Sequence, residues 1–209
     1  MSIELKCECG ALQGNITLST KLGRRIVCMC DDCQAYAHFL GRADQILDKN
    51  GGTDIFPVRP CDLHLTHGLQ NLKCMRLSDQ GMYRWYAGCC KTPIGNSMTS
   101  PKVPYIGLIT KLIENTAGQS ADAVAGPVHA RVLGKFGIGP LPPGTSQKVS
   151  FKMIAGVIQF LVPALLKKAY EPSPFFKSVG EPIVEPQILT ADQLSKLKSL
   201  TGDRPVGRR

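Results

Sequence analysis

Seven of the nine cysteines fall in three tight clusters, Cys7-Glu8-Cys9-Gly10, Cys28-Met29-Cys30-Asp31-Asp32-Cys33 and Cys89-Cys90. Thiolates two or three residues apart in a turn can reach one ion at the roughly 2.3 Å that zinc and sulfur prefer, whereas disulfide geometry disfavours bridging such close neighbours. Each cluster therefore reads as half of a zinc chelate. The N-terminal Met-Ser-Ile-Glu-Leu-Lys carries no basic region followed by an apolar stretch, so the expected compartment is a reducing cytoplasm in which thiols stay free for metal. Cys61 and Cys74 stand alone in strand-like runs and read as core or surface side chains.

A chain of 209 residues can bury a sizeable core without needing metal merely to fold. Its net charge of +9 is uneven: residues 1–100 carry 11 basic and 9 acidic side chains, and residues 101–209 carry 14 and 7. The lysines and arginines are scattered, without the aromatic interleaving that stacks bases, so a solvated basic face is expected and a nucleic-acid partner is not.

The first hundred residues read as short strands separated by turns: Leu12 to Leu18, Arg24 to Cys30, Asp54 to Thr66, Asn71 to Leu77 and Met82 to Tyr86. A further strand-like run covers Tyr105 to Ile113. The pattern predicts a mainly β, antiparallel domain over 1–115 whose turns can converge on metal. From 116 to 201 the texture becomes mostly helical. Pro127 suits the first turn of a helix through Phe136, and the apolar segment Phe151 to Leu166 forms another, too short to cross a membrane comfortably. That helix is expected to pack into a core or against a second copy of the chain. Thr190 with Gln193 forms a capping-box signature for a last helix through Leu200, and 202–209 reads as a disordered tail.

The order Cys-x-Cys-Gly, then Cys-x-Cys-x-x-Cys, then a cysteine just before Lys91-Thr92-Pro93-Ile94-Gly95-Asn96 resembles the glutathione-dependent formaldehyde-activating enzyme and centromere protein V family, over roughly residues 5–115. The resemblance implies a coiled antiparallel β fold, the β-tent. It also implies a structural zinc at Cys7, Cys9 and Cys90, and a second zinc with an open position at Cys28, Cys30 and Cys33. The family's remaining structural ligand would lie three residues before Cys90, where this chain has Ala87. Cys89 is the obvious substitute. Adjacent cysteines in an extended strand point to opposite faces, so sharing one ion requires a bend at Gly88 or in the turn beyond. Otherwise Cys89 serves the second ion, or the structural site is missing. The family's usual glycine after the last ligand is Lys91. The part beyond Thr116 has no counterpart in the small founding enzymes.

Three thiolates on Zn²⁺ leave a soft, open fourth position suited to an incoming thiolate. The resemblance therefore implies a carbon-sulfur lyase acting on an adduct of glutathione, or a similar small thiol, with a small aldehyde, and Cys28, Cys30 and Cys33 are its catalytic metal set. Asp31 and Asp32 read as solvated turn carboxylates, His64 and His67 as solvent-facing on a strand, His129 as a surface residue on the helix begun at Pro127, and Arg84 as a candidate partner for a glutathione carboxylate. Two other classes fit the same residues. One is a non-enzymatic zinc-braced binding module; the other, a redox thiol protein, suits a vicinal cysteine pair poorly.

Overall fold

The computed structural model describes residues 2–17, 24–116, 118–177 and 180–202. In chain order the elements are β1 (Ser2–Lys6), β2 (Gln13–Thr17), β3 (Ile26–Cys28), α1 (Asp31–Phe39), α2 (Ala43–Ile46), β4 (Thr53–Val58), β5 (Leu63–His67), β6 (Leu72–Arg76), β7 (Tyr83–Ala87), β8 (Pro93–Ser97) and β9 (Ile106–Ile109). They continue with α3 (Lys111–Glu114), α4 (Ala121–Ala125), β10 (Ala130–Val132), α5 (Phe151–Leu166), β11 (Gln187–Ile188) and α6 (Ala191–Lys198). Leu18, residues 178 and 179 of the proline-bearing stretch, and 203–209 lie outside the described residues.

The chain is sheet-rich. A three-stranded sheet has the order β1-β2-β5, and an eight-stranded sheet has the order β10-β3-β4-β9-β8-β7-β6-β11. Alternation along β7 shows how the layers stack, because successive side chains of a strand point to opposite faces. Tyr83, Trp85 and Ala87 face a core shared with Leu5, Leu12, Ile16 and Leu63 of the smaller sheet and its connections. Tyr86 faces a second core with Tyr36, Ala37 and Leu40, against which Leu194 and Leu197 of α6 also pack. One face of the large sheet thus carries the small sheet, and the other carries α1 and α6.

The run expected as one strand from Asp54 to Thr66 is two strands in different sheets. Pro60, which has no N–H to donate, opens a short 3-10 turn between β4 and β5 that the Arg59–Asp62 ion pair closes at 2.6 Å. The run from Tyr105 to Ile113 likewise divides into β9 and α3. β8, absent from the sequence reading because Pro-Ile-Gly-Asn-Ser has turn composition, is buried at every residue. A Cβ on Gly95 would sit 2.7 Å from the Gly107 carbonyl oxygen of β9, so glycine there permits the strands to approach.

The helix expected over Pro127–Phe136 is corrected to β10 followed by a 3-10 turn, Gly134–Phe136. Leu133 between them has φ +60°, which no α-helix accommodates, and β10 instead pairs in parallel with β3 through Val132 and Cys28. The C-terminal segment also adds β11 beside β6 and places Phe175 flat against Trp85, ring centroids 4.3 Å apart. α5 spans the expected residues, and α6 begins with the full capping box of Thr190 and Gln193. Among the described residues no helix is long and apolar enough to cross a membrane.

Candidate metal centres

Cys7, Cys9, Cys89 and Cys90 bring their sulfurs within 4.8 Å of one another. Individual Sγ–Sγ separations are 3.6 Å for Cys7–Cys9, 3.8 Å for Cys7–Cys89, 3.4 Å for Cys9–Cys89 and 3.8 Å for Cys89–Cys90. Four thiolates placed tetrahedrally at zinc–sulfur bond length would lie about 3.8 Å apart, so the donor set fits such an ion. The local chain explains the convergence. Cys7 N–H donates to the Leu12 carbonyl and Gly10 N–H to the Cys7 carbonyl, closing a loop whose Gly10 takes φ +75°. Opposite it, Ala87 N–H donates to the Thr92 carbonyl and Lys91 N–H to the Ala87 carbonyl, so Cys89 and Cys90 stand on a tight turn rather than in β7. The bend needed for adjacent cysteines to share a centre lies in that turn. Lys91 itself has φ +58°, the conformation that favours the glycine usual at this position in the resembling family.

Side chains tie the two loops together. Thr92 Oγ1 accepts from Glu8 N–H at 3.0 Å and lies 3.1 Å from Cys90 Sγ. Arg42 pairs with Glu8 and donates to the Cys90 carbonyl. Burial raises the Cys90 thiol, but hydrogen bonds from Thr92 and from Cys9 N–H outweigh it and lower the group to about 6. Burial pushes Cys89 up, to about 12, with its neighbouring thiols adding to the effect.

Cys28, Cys30 and Cys33 form the second group, again with all sulfurs within 4.8 Å. Cys28 ends β3. Cys30 is the N-cap of α1, its sulfur accepting from Cys33 N–H at 3.3 Å, and Cys33 lies in the first helical turn. Unpaired N–H groups at a helix start favour negative charge. Beneath the sulfurs lies Arg84 of β7, 4 % exposed, its guanidinium 5.4 Å from the Tyr36 ring centroid and donating to Asn96 Oδ1 at 3.3 Å. Its Nε has no hydrogen-bond partner among the described residues. Hydrogen bonds from the Cys28 and Cys30 thiols, joined by the Arg84 charge, hold Cys33 well below the ordinary thiol range despite burial. Hydrogen bonds to Cys28 and Cys33, with burial, push Cys30 well above it. The Arg84 charge thus favours a thiolate at Cys33. A bound cation would have to displace the thiol protons that remain, which makes binding pH-dependent.

The C-terminal half completes this second group. Met29 N–H donates to the Val132 carbonyl at 3.0 Å, extending the pairing of β3 with β10. Buried Gln34 donates to the Met29 carbonyl at 2.9 Å and to the Phe136 carbonyl at 2.8 Å, and accepts from Gly202 N–H at 2.9 Å. Lys198 of α6 pairs with both Asp31 and Asp32.

All seven clustered cysteines thus fall into the two groups, four and three, while Cys61 and Cys74 belong to neither. Asp31 and Asp32 are corrected from turn residues to the first turn of α1, each paired with Lys198. Arg84, the candidate partner for a glutathione carboxylate, is buried and its charge acts on the thiols. His64 and His67 are exposed on β5, and His129 precedes β10 rather than riding a helix, its Nε2 2.9 Å from Arg24. The sequence reading missed Arg42, Thr92 and Lys198, none of which carries a metal-binding signature. Thr92 alone had a pointer, its place in the Lys-Thr-Pro motif.

The fold and site define a sheet-rich protein with two thiol groups, each able to hold a metal ion. The chain belongs to a family of unknown function, DUF6151, whose profile matches residues 1–187, from β1 through α5 to the start of β11. No curated protein matches. A crystal structure of a Rhodobacter sphaeroides protein, a Northeast Structural Genomics target, resembles the chain with a TM-score of 0.41 and 16 % identity, over 60 % of this chain and 97 % of that one.

Proposed function

We propose that the chain is a divergent relative of the glutathione-dependent formaldehyde-activating enzyme and centromere protein V family, built on its β-tent, with carbon-sulfur lyase-type chemistry on an adduct of a small thiol and a small aldehyde. Zinc at Cys7, Cys9, Cys89 and Cys90 would brace the fold, and a second zinc would sit at Cys28, Cys30 and Cys33. The observation that carries this reading is the second group's count: three thiols converge, and no fourth Cys, His, Asp or Glu joins them among the described residues. Zinc bound there would supply an open, thiophilic position that keeps an incoming thiol deprotonated at neutral pH.

The chain's own residues do the rest. Arg84 offsets the negative charge of the thiols from below, and the start of α1 offers N–H groups to sulfur from the side. Lys198 pairs with Asp31 and Asp32, and Asp32 also lies 3.9 Å from Arg84, so both carboxylates are engaged by cations. In the cleavage direction the adduct's hydroxyl loses its proton and becomes the carbonyl, while the electron pair of the carbon-sulfur bond passes to sulfur, which the released proton then neutralises through solvent. No outside oxidant or reductant takes part.

A non-enzymatic zinc module is favoured by one observation, the low exposure of Cys28 and Cys33, 9 % and 6 %. Elemental analysis with cobalt substitution separates the two. A lyase site gives two ions per chain and a visible-band change on adding glutathione, whereas two ions with bands indifferent to glutathione leave the bracing module.

A further inference from the structure

A cavity of about 1320 Å³ opens between α5 and the edge of the large sheet. Drug-sized ligands occupy roughly 300–1,000 Å³, so this space exceeds what a small thiol-aldehyde adduct needs. Its lining has two kinds of surface. Ile26, Met153, Val157 and Phe160 supply apolar wall, while Arg24, Arg59, Lys152 and Lys167 supply positive charge, and no Asp or Glu lines it among the described residues. Arg59 is paired with Asp62, whereas Arg24, which meets the His129 ring, and Lys152 and Lys167, at opposite ends of α5, make no ion pair with an acidic side chain among the described residues.

The cavity adjoins the three-cysteine group. Ile26, Ala130 and Met153 line it and also pack against the cluster containing Cys28 and Cys33. Tyr105 lines it too. At its Met153 end the cavity is therefore separated from the thiols by a single layer of side chains.

We propose that this cavity binds a single-chain amphipathic anion, an acyl-like chain bearing a carboxylate, whose far end presents a thiol or thiol adduct to Cys28, Cys30 and Cys33. The apolar wall takes the chain and Lys167, at the end of α5 away from Met153, takes the carboxylate. Binding of the amphiphile stands on the cavity alone; its role as substrate rests on the thiol-site reading above.

The test uses the full metal-loaded chain and two readouts. Calorimetry with undecanoate, which has no thiol, reads the cavity, and the visible bands of cobalt-substituted protein titrated with 11-mercaptoundecanoate or 3-mercaptopropionate read the thiol site. Each buried methylene is worth about fourfold in affinity, so the long thiol should perturb the bands at concentrations at least about a hundredfold below the short one. Gly156 lines the cavity and an added Cβ there meets nothing within 4 Å, so Gly156→Trp fills the space without a clash at its base and without breaking the helix. It should weaken undecanoate at least about tenfold, and Lys152→Glu with Lys167→Glu should weaken it further relative to undecanol. Failure of undecanoate to bind, or binding indifferent to Gly156→Trp, overturns the inference even where short thiols still shift the cobalt bands. Undecanoate binding with no band change from any thiol overturns the substrate role together with the thiol-site reading. Sedimentation with phosphatidylglycerol vesicles that Gly156→Trp leaves intact, without binding of free undecanoate, overturns it in favour of a bilayer against the outer face of α5.

Discussion

The two cysteine groups use the same donor in opposite settings. The four-cysteine group joins two loops at the ends of neighbouring segments, with Cys9 and Cys89 exposed and every ligand within the first 90 residues. The three-cysteine group is sunk beside a helix start, set over a buried arginine, and closed by β10, the turn at Phe136, and α6. Cross-linking two loops suits an ion that braces; an incomplete donor set balanced by a fixed protein charge suits one that binds a further ligand. The difference teaches that donor count and surroundings, rather than cysteine spacing, distinguish the two groups.

The sharpest break of this comparison is removal of one ligand from each group. Cys7→Ser should lose one ion and about 5 kcal/mol or more of stability, since structural metal binding is folding free energy. Cys30→Ser should lose the other ion with less than about 2 kcal/mol, measured by elemental analysis and urea unfolding. Equal losses would erase the distinction. Next, Arg84→Met leaves the thiol charge of Cys33 unmatched and should destabilise by about 3 kcal/mol while leaving the four-cysteine ion in place, as unfolding and metal content will report.

A smaller effect isolates a thiol outside both groups. Burial pushes Cys74 up to about 12 from the ordinary 9.0, so its neutral thiol contributes fully below pH 9 and that contribution is lost as pH rises towards 12. Between pH 9 and 10 this amounts to about 1 kcal/mol. Cys74→Val should flatten that part of the alkaline unfolding profile, whereas an unchanged slope would assign it to the clustered thiols. The smallest change is Lys91→Gly. It relieves the left-handed conformation but removes the Lys91 contact with the Tyr86 ring, 5.1 Å from the centroid, for a net gain of about 0.5 kcal/mol in thermal unfolding.

The sequence was informative where chemistry is local. Thiols two and three residues apart marked both groups, strand-like runs separated by a turn marked β6 and β7, and Thr190 with Gln193 marked the start of α6. It misled where partners lie far along the chain. Pro127 to Phe136 has no local reason to be a strand; pairing with β3 and the positive φ at Leu133 decide it. Cys28 to Cys33 reads from its spacing only as a chelate turn, whereas Cys30 also caps α1, whose Tyr36 and Ala37 pack into the second core. Arg84 could not be placed from sequence because its burial follows from β7 lying inside an eight-stranded sheet.

The closure of Gln34 by Gly202 has a temporal meaning. Domains form N-terminal first as the chain leaves the ribosome. The four-cysteine loops are all present once Thr92 has emerged, whereas the three-cysteine group awaits roughly 110 further residues, about 5–20 s of synthesis. The four-cysteine group can therefore come together while the other three thiols are still unenclosed, so a newborn chain meets the cell's metal and oxidant supply with its two groups in unequal states of protection.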